Sequence, residues 1–260
     1  MGIVAFEWAA EGEGNNKLTL MMNRENYVKR VISGASWKGH ILSGRCEYNN
    51  GTWFAISMRG RVAFLMSRTL LVDHFVPDGG CELYPVEFLE SDLSPQGFAD
   101  KMVHRDGGRQ EGWSYSLIVA DMNSNSMFHV WKPYKHQPNH SSFLIQPVHF
   151  GVHTLSPLDG LDSKTSRDVK LRDHFTQMIS GLGNKPKPQL EEFARNFMCK
   201  GTMFMDNMIH HPVSKGKQLH GTTSTTALLV KHSKEVIVFE RFRNNNSVWD
   251  EHDFSFYHLE

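Results

Sequence analysis

The chain turns apolar at its third residue, and no other feature limits its fold as much. Ile3 to Trp8 (Ile-Val-Ala-Phe-Glu-Trp) reads as a strand. Leu18 to Met22 reads as a second strand, and Glu11-Gly-Glu-Gly-Asn-Asn16 between them is turn chemistry. A chain end frays unless a sheet ties it down, so the first strand is expected inside the fold. Burial there has a chemical consequence: a free α-amino group can act as a built-in base beside a side-chain nucleophile. The residue after Met1 is Gly2, which has no side chain to attack with.

Further strands are expected over Ile41–Gly44, Thr52–Ser57 and Arg61–Met66, with Met58-Arg-Gly60 as a tight hairpin signal. Ser94 followed by Pro95 reads as an N-cap and first helical position, opening a helix to about His104. A second β block follows: Trp113–Asp121, a turn at Asn123-Ser-Asn125, Met127–Trp131, then Ser142–Gln146 and Gly151–Leu155. Leu171, Phe175, Met178, Ile179 and Leu182 recur at helical spacing, capped by Thr165 or Ser166. Pro188 is expected to open a further helix striped by Leu190, Phe193, Ala194, Phe197 and Met198, after a linker over Gly181–Pro188. Thr222–Lys231 and Glu235–Phe242 form a hairpin of continuous apolar runs, which places it centrally in a sheet, beside the N-terminal strand. Phe254–Tyr257 is a candidate last strand. Two sheets with helices on their outer faces use all these parts.

Composition excludes several functions. The 260 residues carry 28 Lys+Arg and 28 Asp+Glu, so no general field draws the chain to nucleic acid or to an anionic membrane. The three cysteines (Cys46, Cys81, Cys199) are far apart, which argues against a disulfide framework and for a reducing, cytoplasmic location. No apolar run reaches the length of a membrane span, and no secretory signal begins the chain. Gly2 invites myristoylation, but Phe6 stands where that pattern wants Ser or Thr.

Several short motifs occur in one order: Asn23-Arg24-Glu25 after the second strand, Ile41-Leu-Ser-Gly-Arg45, Asn50-Gly-Thr-Trp53, Arg59-Gly60, Gly151-Val-His-Thr-Leu-Ser156, Gly221-Thr-Thr-Ser-Thr-Thr226 and Phe239-Glu-Arg241. In this order they resemble the NRDE-type family, also called transport and Golgi organisation protein 2. The resemblance implies one α+β domain over residues 1–260. Its architecture would be a four-layer αββα sandwich of two stacked antiparallel sheets, the N-terminal nucleophile hydrolase fold. It also implies roles in haem trafficking, in lipid and mitochondrial metabolism, and in Golgi organisation and secretion. Association with Golgi or mitochondria, peripheral to the membrane, is expected on the same ground.

Members of the family usually begin Met-Cys, the cysteine being the nucleophile; here that position is Gly2. The family's Asn-Arg-Asp-Glu reads Asn23-Arg24-Glu25-Asn26, and its Gly-Arg-Asp reads Gly44-Arg45-Cys46. Its Leu-Thr-Asn reads Leu65-Met66-Ser67, and its Gly-Leu-Ser-Asn reads Thr154-Leu155-Ser156-Pro157. The departures fall on the nucleophile and on the two amides that would hold an oxyanion. One oxyanion donor is worth roughly two to three orders of magnitude in rate. The expectation is therefore a binding protein on a hydrolase scaffold, with no required cofactor. Its ligand would be an amphipathic molecule, haem as cargo or an acyl compound. Gly2, Asn23, Arg24, Glu25, Ser67, Ser156, Thr222 and Arg241 are expected to line the cleft. The alternatives are an amidase or thioesterase with another nucleophile, and a scaffold for membrane-traffic partners.

Single residues keep competing readings. Arg24 suits an anionic ligand group bidentately, or an ion pair with Glu25 or Glu240. Thr222 to Thr226 suits a hydroxyl-lined pocket, or a β edge. Met198 to His211 carries four methionines, a cysteine and a His pair; His210 is the candidate haem ligand, and flexible core filling is the plainer role. Cys46 lacks a neighbouring base. His129, His149 and His153 lack metal-ligand spacing and read as structural.

Overall fold

The structure, a computed structural model, describes residues 2–27, 30–68, 80–106, 114–133, 143–156, 159–182, 186–197, 209–213, 216–244 and 248–259. Its first strands are β1 (Gly2–Trp8), β2 (Asn16–Tyr27), β3 (Ser36–Lys38), β4 (Ile41–Ser43), β5 (Phe54–Ser57) and β6 (Arg61–Arg68). Helices α1 (Tyr84–Glu90) and α2 (Pro95–Asp106) follow, then β7 (Ser114–Asp121), β8 (Ser126–Lys132), β9 (Leu144–Pro147), β10 (Gly151–Ser156) and β11 (Gly160–Leu161). The last part holds α3 (Ser166–Ser180), α4 (Pro186–Phe197), β12 (Ile209–Val213), β13 (Gly216–Lys231), β14 (Glu235–Arg243) and β15 (Trp249–Tyr257). The class is α+β with antiparallel sheets, as expected. By contacts the chain forms two compact units: residues 1–34, 150–154 and 163–257 make unit 1, and 35–149, 155–162 and 258–260 make unit 2.

In unit 1 the strands run β10-β1-β2-β13-β14-β15, with β12 on β13. Residues directly opposite in an antiparallel ladder point to the same face. Ala5, Met21, Ala227 and Phe239 form one such row across four strands. They meet Leu171 and Phe175 of α3 and Leu190 and Ala194 of α4 in one core. Thr165 caps α3 by accepting the Asp168 N–H at 3.3 Å, which selects it over Ser166. The apolar hairpin lies next to β2, not next to β1 as expected, because β1 pairs on its other side with β10. The second strand runs five residues beyond Met22, so Asn23-Arg24-Glu25 lies inside a strand and not after it. The last helix starts at Pro186, two residues ahead of Pro188, since a first helical turn needs no N–H from proline. Nothing in the sequence pointed to β12.

In unit 2 the sheet order is β3-β4-β5-β6-β7-β8-β9. Gly60 adopts φ 72° in the β5–β6 turn, the left-handed conformation that Met58-Arg-Gly60 predicted. Ser94 Oγ accepts the Gly97 N–H at 3.1 Å, confirming the cap of α2. Helix α1 went unread in the sequence. It is 7 residues long and no side chain caps it, so burial of Tyr84, Val86, Phe88 and Leu89 makes it a helix. Arg61 locks it to the sheet: its guanidinium lies 3.9 Å from the Phe88 ring and donates to the carbonyls of Ser91 and Leu93. Deeper in, Asp106 Oδ2 accepts from the hydroxyls of Tyr84 at 2.7 Å and Tyr115 at 2.9 Å. Burial, and then the carboxylate, pushes both phenols above the usual tyrosine range.

Candidate functional site

The chemistry-bearing residues of unit 1 sit where β1, β2, β13 and β14 run side by side. Gly2 lies opposite Arg24, Arg24 opposite Ser224, and Ser224 opposite Phe242. This row shares one face. The next row on that face is Val4, Met22, Thr226 and Glu240. Arg24, Ser224, Thr226 and Glu240 are all buried. The register slips between Thr222 and Ser224, so Thr223 is the extra residue of a bulge, and its Oγ1 donates to the Arg24 carbonyl at 3.2 Å. A bulge re-aims the side chains that flank it. The bulge therefore fixes the backbone of Arg24 from the β13 side.

The neighbouring row faces the other way, toward α3 and α4. It comprises Ile3, Asn23, Thr225, Arg241 and Glu251. Thr225 Oγ1 donates to Asn23 Oδ1 at 2.7 Å. Arg241 lies 4.5 Å from the Trp249 ring, with its Nε 3.9 Å from Glu251 Oε1. Glu251 also takes a two-pronged donation from Arg195 of α4, at 2.9 and 2.6 Å, and Arg195 holds its carboxyl below the ordinary range. Glu25 pairs with Thr222 in the ladder. The eight expected cleft residues are thus divided. Gly2 and Arg24 share one face of the unit 1 sheet, and Asn23 and Arg241, with Thr225 between them in the ladder, share the other. Period two makes this unavoidable: Asn23 and Arg24 are adjacent in one strand and cannot point to one surface. Thr222–Thr226 is wholly buried in an interior strand, and the β-edge reading of it fails.

Ser67 and Ser156 belong to unit 2. Ser67 is buried opposite Tyr115, and Ser156 Oγ accepts the Asp159 N–H at 3.4 Å to close a turn. His210, expected to lead into a loop, stands inside β12 opposite Leu219. Residues 198–208 of the methionine-rich stretch, with Pro157, Trp113 and Cys199, lie outside the described residues. Cys46 is buried in unit 2. Among the described residues no group of three or more His, Cys, Asp or Glu could hold a metal ion. His153 packs against the Phe6 ring, 5.2 Å between centroids, a structural place as expected.

Two motif residues of unit 2 have a structural use. Trp53 Nε1 donates to Glu82 Oε1 at 2.9 Å, and Asn49 Nδ2 donates to Glu82 Oε2 at 3.2 Å. Gly51 lies under that carboxylate: a Cβ there would come within 2.6 Å of Glu82 Cβ. Gly51→Ala is therefore expected to cost about 1–3 kcal/mol by overpacking, read as a lower denaturant midpoint at unchanged slope. Equal midpoints would refute this.

Sequence reading missed a buried pair, Ser116 and His129. Ser116 Oγ is 2.6 Å from His129 Nε2, and Gln146 Nε2 is 3.3 Å from Nδ1. The spacing matches a nucleophile with its base, but both residues are 0% exposed, so no substrate reaches them. Burial pushes the His129 pKa down to about 3, keeping the ring neutral. Cross-strand pairing through β7 and β8 brings them together, and no motif marks it in the chain.

Comparison with known proteins identifies the family. The family model described as Transport and Golgi organisation 2 matches residues 1–245. No curated protein matches the sequence. Among solved structures the chain is similar to a Caenorhabditis elegans N-acylethanolamine-hydrolyzing acid amidase ortholog. The likeness has 11% identity and a TM-score of 0.38, and covers 87% of this chain and 92% of that one.

Proposed function

This chain belongs to the Transport and Golgi organisation 2 family, and from that premise we propose that it is a non-catalytic member that binds a small amphipathic molecule with an acidic head group. The candidates are haem as cargo and an acyl compound, in keeping with lipid, haem or secretory homeostasis at Golgi or mitochondria. One observation carries the reading. Gly2, at the position of the family's nucleophile, lies directly opposite Arg24. The reactive atom is missing there while the cation beside it remains. A guanidinium in a buried polar row prefers an anionic, bidentate partner. Ser224 continues that row, and Thr226 and Glu240 follow in the next row of the same face, adding hydroxyls and a carboxylate. Among the described residues no helix is long and apolar enough to cross a membrane, so membrane association would be peripheral.

Titration with hemin and with palmitoyl-CoA, alongside native mass spectrometry, tests the reading. One of the two is expected to bind, and Arg24→Ala is expected to weaken that binding about tenfold or more, the worth of a charge-assisted hydrogen bond. No binding of either by the wild type, or equal binding by Arg24→Ala, would sink it. Turnover of model amides or thioesters that Arg24→Ala abolishes would replace it with the hydrolase alternative.

A further inference from the structure

At the other end of β1 unit 1 has a second, unassigned concavity. Glu7 is five residues from Gly2, about 17 Å along a strand, and alternation turns it to the opposite face. There a cavity of about 470 Å³ opens between the β1–β2 turn, the β13–β14 turn and the end of α3, within the size range of small-molecule sites. Its polar lining includes Glu7, Glu13, Asn16 and His232; its apolar wall is Ile179 and Leu182.

The charges in it do not balance. Lys231, also in the lining, is taken by Glu235 at 2.5 Å, and Lys17 nearby lies over the Trp8 ring at 6.0 Å. Glu13 is spent partly on the Ala10 N–H at 3.3 Å. Glu7 makes no hydrogen bond or ion pair with any described residue, and burial followed by Glu13 raises its pKa. Two further groups beside it have no partner among the described residues. Thr19, 1% exposed and directly opposite Glu7 in the ladder, has an unbonded Oγ1. His232 has a buried, unbonded Nε2. Buried polar atoms without partners are rare and call for an explanation.

We propose that this cavity binds an organic ammonium ion. Its charged nitrogen would sit against the Glu7 carboxylate and its aliphatic part against Ile179 and Leu182. An ammonium supplies three donors and no acceptor, which answers the carboxylate oxygens of Glu7 and Glu13 in the lining. A bare divalent cation suits the site less, since it would want more oxygen ligands than these carboxylates give and would gain nothing from the apolar wall.

Hexylamine hydrochloride is the probe, titrated calorimetrically into wild type, Glu7→Gln, Leu182→Trp and Arg24→Ala. Wild type is expected to bind hexylammonium at least about tenfold tighter than hexanol or hexanoate. Glu7→Gln is expected to erase that preference, and it should fold, since it removes a carboxylate that Glu13 opposes. Leu182→Trp fills the apolar wall and is expected to weaken binding while sparing both carboxylates. Arg24→Ala is expected to bind as wild type does, which separates this site from the cleft. Binding of hexylammonium no tighter than hexanol, or unchanged in Glu7→Gln or Leu182→Trp, would overturn the proposal.

Discussion

Phe175→Ala is expected to lower the unfolding free energy of unit 1 by about 3–5 kcal/mol, the cost of a large cavity in a close-packed core. Phe175 is 0% exposed and is the largest helix side chain in the core that joins α3 and α4 to the sheet. Ala5, Ala227 and Ala194 of the same core are short and attached to regular elements, so they cannot close over the gap. Phe193 packs on the same core but is only partly buried, and Phe193→Ala should cost visibly less. Denaturant unfolding monitored by far-UV circular dichroism reads both. A Phe175→Ala loss under about 1 kcal/mol, or one no larger than that of Phe193→Ala, would mean the helices are not seated as described.

Acidification should destabilise unit 2 through His129. Its pKa is about 3 in the folded state, against an ordinary value near 6.5 once unfolded. Between those values the unfolded chain binds the extra proton, so stability rises with pH across that window. The contribution is complete above pH 6.5 and is lost as pH falls, at up to roughly 1.4 kcal/mol per pH unit. The hydrogen bonds say why. The Gln146 amide donates to Nδ1, so the neutral ring carries its proton on Nε2 and donates to Ser116. A second proton on Nδ1 would face a donor in a dry site. His129→Gln should be less stable than wild type at pH 7, with the difference narrowing toward pH 4.5. A constant difference across that range would show that His129 does not titrate on unfolding.

Local chemistry was legible where it is self-contained. The Met58-Arg-Gly60 turn, the Ser94 cap and the Thr165 cap each need only residues close in sequence, and the structure has all three. The apolar runs of β13 and β14 were legible for a similar reason, since strands buried on both faces cannot alternate. Elements that depend on distant partners were not. Helix α1 exists because the sheet beneath it buries its face, and β12 exists because β13 runs long enough to pair with it. The candidate site follows the same division. Gly2 and Arg24 could be named from the motif order, but their shared row, and the turning of Asn23 and Arg241 toward the helices, come from the ladder register.

By itself, then, the sequence determined the class of the fold, the family and the glycine at residue 2, because strand periodicity, turn residues and motif order are written in the chain. Only the tertiary structure decided which polar side chains meet. It set Arg24 beside Gly2, joined Ser116 to His129 out of reach of solvent, and left Glu7 beside an apolar wall with no ion pair to any described residue. The physical reason is that a one-residue shift in strand register exchanges the two faces of a sheet, and register is set by long-range pairing that no local window contains.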